Sequence, residues 1–185
     1  MDRFDFNLFL KLFPKIIKFL PQTFYVAFVA TIVSLILAII IAIIRQYKIR
    51  GLYEITSIYV SFFRGTPLIA QLFWFYYGLT QVFDIIKVMS PFTALIICLS
   101  ANYCAFMSED IRAALNSISK NQYEAGLSVG MYPLAVIRRI ILPQAARVAA
   151  PGLSNHFINL FKSTSIGFMI GYKDMMAAVG LETSK

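Results

Sequence analysis

Glu124, Ala125 and Gly126, then Gly130, then Ile140, Leu142 and Pro143, form a polar island in a chain that is otherwise strongly apolar. None of these side chains can make or break bonds as a group, so the chemistry they suggest is docking and not catalysis. The water-compatible stretch runs from about residue 113 to 139. Within it Asn121 is placed to be the N-cap of a short helix with Glu124 at N3, a capping box with Asn in place of Ser or Thr. Gly130 can stop that helix. Pro133 then suits the first turn of a second short helix, which is expected to end before Pro143.

A second group of residues could bind a small solute. Polar side chains inside apolar spans are costly, which singles out Asn102 and Tyr103, together with Lys162, Ser163 and Thr164. Asn102 could equally serve an interhelical hydrogen bond, and Lys162 could simply reach for the interface. The two cysteines, Cys98 and Cys104, read as small packing residues. His156 has no cysteine or carboxylate at ligand spacing, which favours helix packing or hydrogen bonding over a metal site. No nucleophile elbow, HExxH or paired-carboxylate pattern is present, and no Gly-rich phosphate loop with its Lys and Ser or Thr. The expectation is a chain without a catalytic centre, a metal or a nucleotide of its own.

The elements that must position these residues are transmembrane helices. Of the 185 residues, 59% are hydrophobic and 14% charged, far too apolar for a soluble domain of this size. Thr23 to Ile44 is uncharged and would extend about 33 Å as a helix, enough for a hydrocarbon core of about 30 Å. Ile55 to Leu79 holds Arg64, Gly65, Thr66 and Pro67 inside it, so it reads as a broken helix whose freed backbone groups need partners. Phe92 to Met107 is a third span and Pro143 to Phe161 a fourth. Ser163 to Val179 follows as a re-entrant or interfacial stretch.

Charge sets the orientation. The loop holding Arg45, Lys48 and Arg50 and the segment holding Arg112, Lys120, Arg138 and Arg139 both read as cytoplasmic. The loop from Thr80 to Ser90 then falls outside. The basic N-terminus resists this rule, and residues 1–20, broken near Pro14, are expected to lie in the outer interface. The net charge of +8 flanks spans and is interleaved with no aromatic module, so lipid headgroups explain it and nucleic acid does not.

The spacing from Glu124 to Pro143 resembles the EAA loop of permease subunits of binding-protein-dependent ABC importers: Glu-Ala-Ala, three residues, Gly, nine residues, Ile, one residue, Leu, Pro. Gly126 stands at the second Ala, a change that keeps the side chain small. Arg64 to Pro67, followed by Gln71, Leu72, Phe73 and Tyr76 to Gly78, is similar to the RGTP segment of the polar amino acid permeases. Ala105, Glu109, Arg112, Leu115, Ala145, Arg147, Pro151, Asn155, Lys162, Thr164 and Ser165 match in the same order. Together these span roughly Thr23 to Gly171.

The resemblance implies an all-α integral membrane protein, a MetI-like ABC permease helical bundle lacking its last transmembrane helix after Lys185. It implies a transmembrane permease domain over residues 21–185, with Glu124, Ala125, Gly126, Gly130, Leu142 and Pro143 coupling to a separate ATP-binding subunit dimer that carries the ATP and Mg. Further implied partners are an extracytoplasmic solute-binding protein and a second permease subunit, in a bacterial plasma (inner) membrane crossed several times. The resemblance also puts Asn102 on the pathway side. No acid lies mid-span as a counter-ion, which favours a neutral or acidic amino acid as substrate. The alternative is a secondary amino acid transporter without an ATPase, which predicts an internal repeat and an intramembrane acid.

Overall fold

A computed structural model describes residues 6–82 and 89–177. Among the described residues the chain is helical and carries no strand. Its order is α1 (Phe6–Ile17), α2 (Leu20–Gln46), α3 (Leu52–Gly65), α4 (Leu68–Phe73), α5 (Pro91–Ser117), α6 (Lys120–Ser128), α7 (Pro133–Val136) and α8 (Leu142–Ser163). A π turn, Trp74–Gly78, and a 3-10 turn, Leu79–Gln81, extend α4; a second π turn, Ile137–Ile141, joins α7 to α8; a 3-10 segment, Thr164–Ile170, prolongs α8.

Among the described residues two helical stretches are long and apolar enough to cross a membrane by themselves, Phe13–Gln46 and Pro91–Ser117. On α2 the buried positions are Thr23, Val26, Ala27, Ala30, Ser34, Ala38 and Ala42, a line of mostly small residues three to four apart. Phe24, Tyr25, Phe28, Ile32, Ile36, Ile39, Ile40 and Ile43 point outward and are exposed. Large side chains facing lipid cost nothing there, whereas small ones let helix backbones approach. The second long helix, α5, is the core element, with Leu95, Leu99, Cys104, Ala105, Met107 and Ser108 almost fully enclosed.

The chain divides into two compact units, Met1–Ile32 with Thr66–Ser100 and Asn159–Lys185, and Val33–Gly65 with Ala101–Ile158. In the first, Ser100 Oγ donates to the Ala30 carbonyl at 3.4 Å, Tyr25 stacks on Phe92, and Phe24 tilts against Phe161. In the second, the ends of α2, α3 and α5 are joined by charged side chains, and α5 is joined to α8.

Several expected boundaries move. Pro14 does not break the N-terminal helix, which runs through it from Phe6 to Ile17; its carbonyl still accepts from Lys18 N–H at 3.3 Å, and the turn falls at residues 18–19. The third span is longer than Phe92 to Met107, since α5 continues to Ser117 through its charged end. The second short helix does not end before Pro143. Helical backbone runs from Pro133 to Ser163, and the wide π turn ahead of Pro143 relieves the clash and the missing donor that an α turn would impose. The stretch from Ser163 to Val179 begins as the 3-10 segment and is ended by Gly171 at φ 82°; its last two residues lie outside the described ones, as does part of the Thr80 to Ser90 loop.

Candidate functional site

The polar island folds as an elbow of two short helices. Its first helix, α6, is capped by Ser119 and not by Asn121: the Ser119 side chain accepts from Asn121 N–H at 3.3 Å, with Ser119 itself in extended backbone. The cap thus sits two residues earlier than the Asn121–Glu124 pattern suggested, and Glu124 lies in the second turn. At the other end Gly130 has φ 83°, donates to the Leu127 carbonyl at 2.9 Å, and is followed by Met131 N–H donating to the Gly126 carbonyl at 3.1 Å. That pair of bonds is a Schellman stop, which needs a left-handed residue where Gly stands.

The elbow closes on Gly126. Gly126 is buried, and a β-carbon built there would lie 2.7 Å from Val136 Cγ2 and 2.8 Å from Cγ1, while Val136 is fully enclosed. The two short helices therefore touch backbone to side chain. Glu124 and Ala125 remain exposed on the opposite side, and Val129, Tyr132 and Leu134 are exposed at 77%, 83% and 74%. These three side chains form an exposed apolar patch on the hairpin of two helices. Leu142 is half exposed and lines two grooves, one of about 360 Å³ with Ile39, Ile111 and Ala149, the other of about 620 Å³ with Tyr47, Tyr123 and Glu124. Pro143 is exposed beside it.

The expected helix break is present, with α3 ending at Gly65 and Pro67 in extended backbone as the N-cap of α4. Side-chain amides meet the carbonyls around it. Asn102 Nδ2 donates to the Phe63 carbonyl at 3.2 Å, and Gln71 Nε2 donates to the Thr66 carbonyl at 3.1 Å and to Thr66 Oγ1 at 2.6 Å. Arg64 is half exposed, its guanidinium 5.6 Å above the Phe106 ring.

A charge cluster that sequence reasoning did not assemble lies in the same unit as Arg64. Glu109 accepts from Arg45 Nη1 and, at 2.9 Å, from Arg112 Nη2, with Arg64 Nη1 at 3.9 Å. At the end of the span, and not in its middle, Glu109 balances a buried cation, the chain's own Arg45, 12% exposed. Next to it Asp110 Oδ2 stands 3.0 Å from His156 Nε2, and the His156 ring lies 5.9 Å from Phe106 and 6.4 Å from Tyr103. Gly152 makes this pair possible, since any β-carbon there would run into the Asp110 carboxylate. The sequence did offer a signal: three charges within four residues, Glu109 to Arg112, at the end of a span.

Of the candidate solute-binding residues, Asn102 and Tyr103 are buried in one unit, while Lys162, Ser163 and Thr164 belong to the other. Lys162 is exposed; Thr164 is enclosed and donates to the Phe161 carbonyl at 2.8 Å. Both cysteines are buried and free, and no group of His, Cys, Asp and Glu among the described residues could hold a metal.

Residues 34–183 match the family described as binding-protein-dependent transport system inner membrane component. A probable amino-acid ABC transporter permease protein, PatM, of Vibrio harveyi is 46% identical over 98% of this chain and 81% of its own length. A probable amino-acid permease protein, YxeN, of Bacillus subtilis (strain 168) is 45% identical over 96% of this chain and 79% of its own. Among solved structures, an amino acid ABC transporter crystallised with histidines superposes with a TM-score of 0.87 at 31% identity, over 99% of this chain and 84% of that one. An inward-facing MetNI methionine ABC transporter superposes at 0.71 and 22% identity, over 86% of this chain and 76% of that one, a likeness of fold alone.

Proposed function

We propose a function for this chain from one premise: it belongs to the family of binding-protein-dependent transport system inner membrane components. It is accordingly an integral membrane transport subunit of an importer and not an enzyme. Its cargo, in our reading, is a polar amino acid. The likeness to PatM and YxeN, described as probable amino-acid permeases, supports an amino acid as cargo. A neutral or acidic side chain is favoured because, among the described residues, the carboxylates of Glu109, Asp110 and Asp174 are already engaged within the chain: Glu109 by Arg45 and Arg112, Asp110 by His156, Asp174 by the Ala177 N–H.

The single observation that carries the coupling role is the elbow, whose packed Gly126–Val136 seam leaves Glu124, Ala125, Val129, Tyr132 and Leu134 facing outward. On this reading Glu124, Ala125, Gly126, Gly130, Leu142 and Pro143 form or brace a knob that a cytoplasmic ATP-binding subunit dimer grips. ATP and Mg act on that partner. Closure of the ATPase pair pulls the elbow, and the broken helix at Arg64 to Pro67 lets the spans tilt between outward and inward openings. A solute-binding protein delivers the cargo from outside, and a second permease subunit completes the pathway. Tyr103, Lys162, Ser163 and Thr164 are the proposed contacts along it. The chain then crosses a bacterial plasma membrane several times, with the elbow on its cytoplasmic side.

Affinity purification in mild detergent tests this. The tagged chain should bring down a P-loop ATPase, and Tyr132→Asp with Leu134→Asp should release it while the permease keeps its thermal stability. Retention of the ATPase by the double variant, or recovery of the wild-type chain without any ATPase, removes the coupling role.

A further inference from the structure

We propose that Asn102 is a positioning residue: its side-chain amide stands in for the backbone donor that Pro67 lacks and holds the helix break in the shape transport needs. In an uninterrupted helix the carbonyl of Phe63 accepts the N–H of residue 67. Residue 67 is proline and has no N–H to give. The Asn102 amide, 95% buried, reaches that carbonyl from α5 at 3.2 Å. In surroundings without water a backbone carbonyl at a break must be met by protein, and a neutral amide does this without burying a charge. The neighbouring carbonyl at Thr66 is met in the same way by Gln71, itself buried. The break is thus held by amides, and α5 carries the one that answers to Pro67.

This assigns a polar residue inside a span to architecture and not to solute contact. It also makes a specific pairing. Asn102 matters because Pro67 is proline, so restoring a backbone N–H at 67 should make the amide redundant for stability while removing the bend that transport uses. The uptake arm rests on the transport function proposed above; the thermal arm does not.

The test uses the assembled importer with its ATPase and binding protein. Four versions are compared: wild type, Asn102→Leu, Pro67→Ala and the double variant. Melting temperature is read on each, with uptake of a mixture of labelled amino acids into proteoliposomes. Asn102→Leu, which keeps the volume and loses the donor, should melt about 4 °C lower and take up solute about tenfold more slowly. The same Leu substitution in the Pro67→Ala background should cost no further melting temperature, yet uptake should stay low. A melting temperature untouched by Asn102→Leu, with or without loss of uptake, overturns the proposal; so do additive losses in the double variant. Should Asn102→Leu fail to accumulate, recovery of accumulation by Pro67→Ala supports the pairing and its absence overturns it. A wild-type complex that takes up nothing counts against the transport function and leaves the thermal comparison standing.

Discussion

Gly126 and Val136 pack so closely that a single added carbon at 126 would lie 2.7 Å from Val136 Cγ2. Val136 is branched at Cβ and fully enclosed, so it cannot swing aside. The elbow is therefore a matched pair of surfaces whose angle is set at one point. Gly126→Ala should open that seam and cost about 1 to 3 kcal/mol. Val136→Ala on top of it should recover much of the loss, because the removed methyls are the ones in the way. Coupled ATPase stimulation and melting temperature, measured over the double-mutant cycle, check this; simple additivity would refute the seam.

The cap of α6 separates two readings of the same residues. Ser119→Ala should cost about 1 kcal/mol and lower the hydrogen-exchange protection of the first turn of α6, where Asn121 N–H meets the Ser119 side chain. Asn121→Ala should do far less, since that side chain caps nothing. Equal effects would return the cap to Asn121.

Around Glu109 the three arginines should be unequal. Glu109→Gln strands Arg45, 12% exposed, and Arg112 without their counter-charge, at a cost of about 3 kcal/mol. Arg64 is 3.9 Å away and 46% exposed, and its pairing with Glu109 should be worth at most about 1 kcal/mol. Thermal unfolding of Glu109→Gln and Arg64→Gln in detergent should differ accordingly. A larger loss from Arg64→Gln would show that the cluster is centred on the helix break.

Gly152→Ala should drive the Asp110 carboxylate away from His156, breaking a 3.0 Å contact at a cost of about 1 kcal/mol, because the carboxylate is 38% exposed and can turn aside. Asp110→Ala removes the colliding group, so Gly152→Ala should be nearly silent in that background. Circular-dichroism melts of the four combinations suffice, and a full-sized Gly152→Ala effect without Asp110 would refute the steric account.

What could be read in advance follows from range. Gly130 as a stop, Pro133 as a start and the interruption at Pro67 depend on the conformational limits of single residues, and all three stand where the residue types put them. The long apolar run of α2 is equally local. The cap is not, because Ser119 with Gln122 and Asn121 with Glu124 are both acceptable patterns two residues apart, and only the folded backbone chooses. Pro143 announces trouble for a helix without saying whether it ends or widens, and it widens. The Glu109 cluster joins residues as much as 64 positions apart, and the Asp110–His156 pair needs a glycine on α8 to exist at all. Such pairings come from packing and leave little trace in spacing.

The π turn at Ile137–Ile141 alters the bookkeeping of everything after it. Each α-helical residue advances about 100° around the axis, and a π turn carries one residue more than an α turn. Side chains beyond Leu142 consequently sit about one residue out of rotational phase with those of the elbow. A one-residue deletion inside that turn would be absorbed by conversion to ordinary helix, whereas the same deletion a few positions later would rotate Gly152 and His156 away from Asp110.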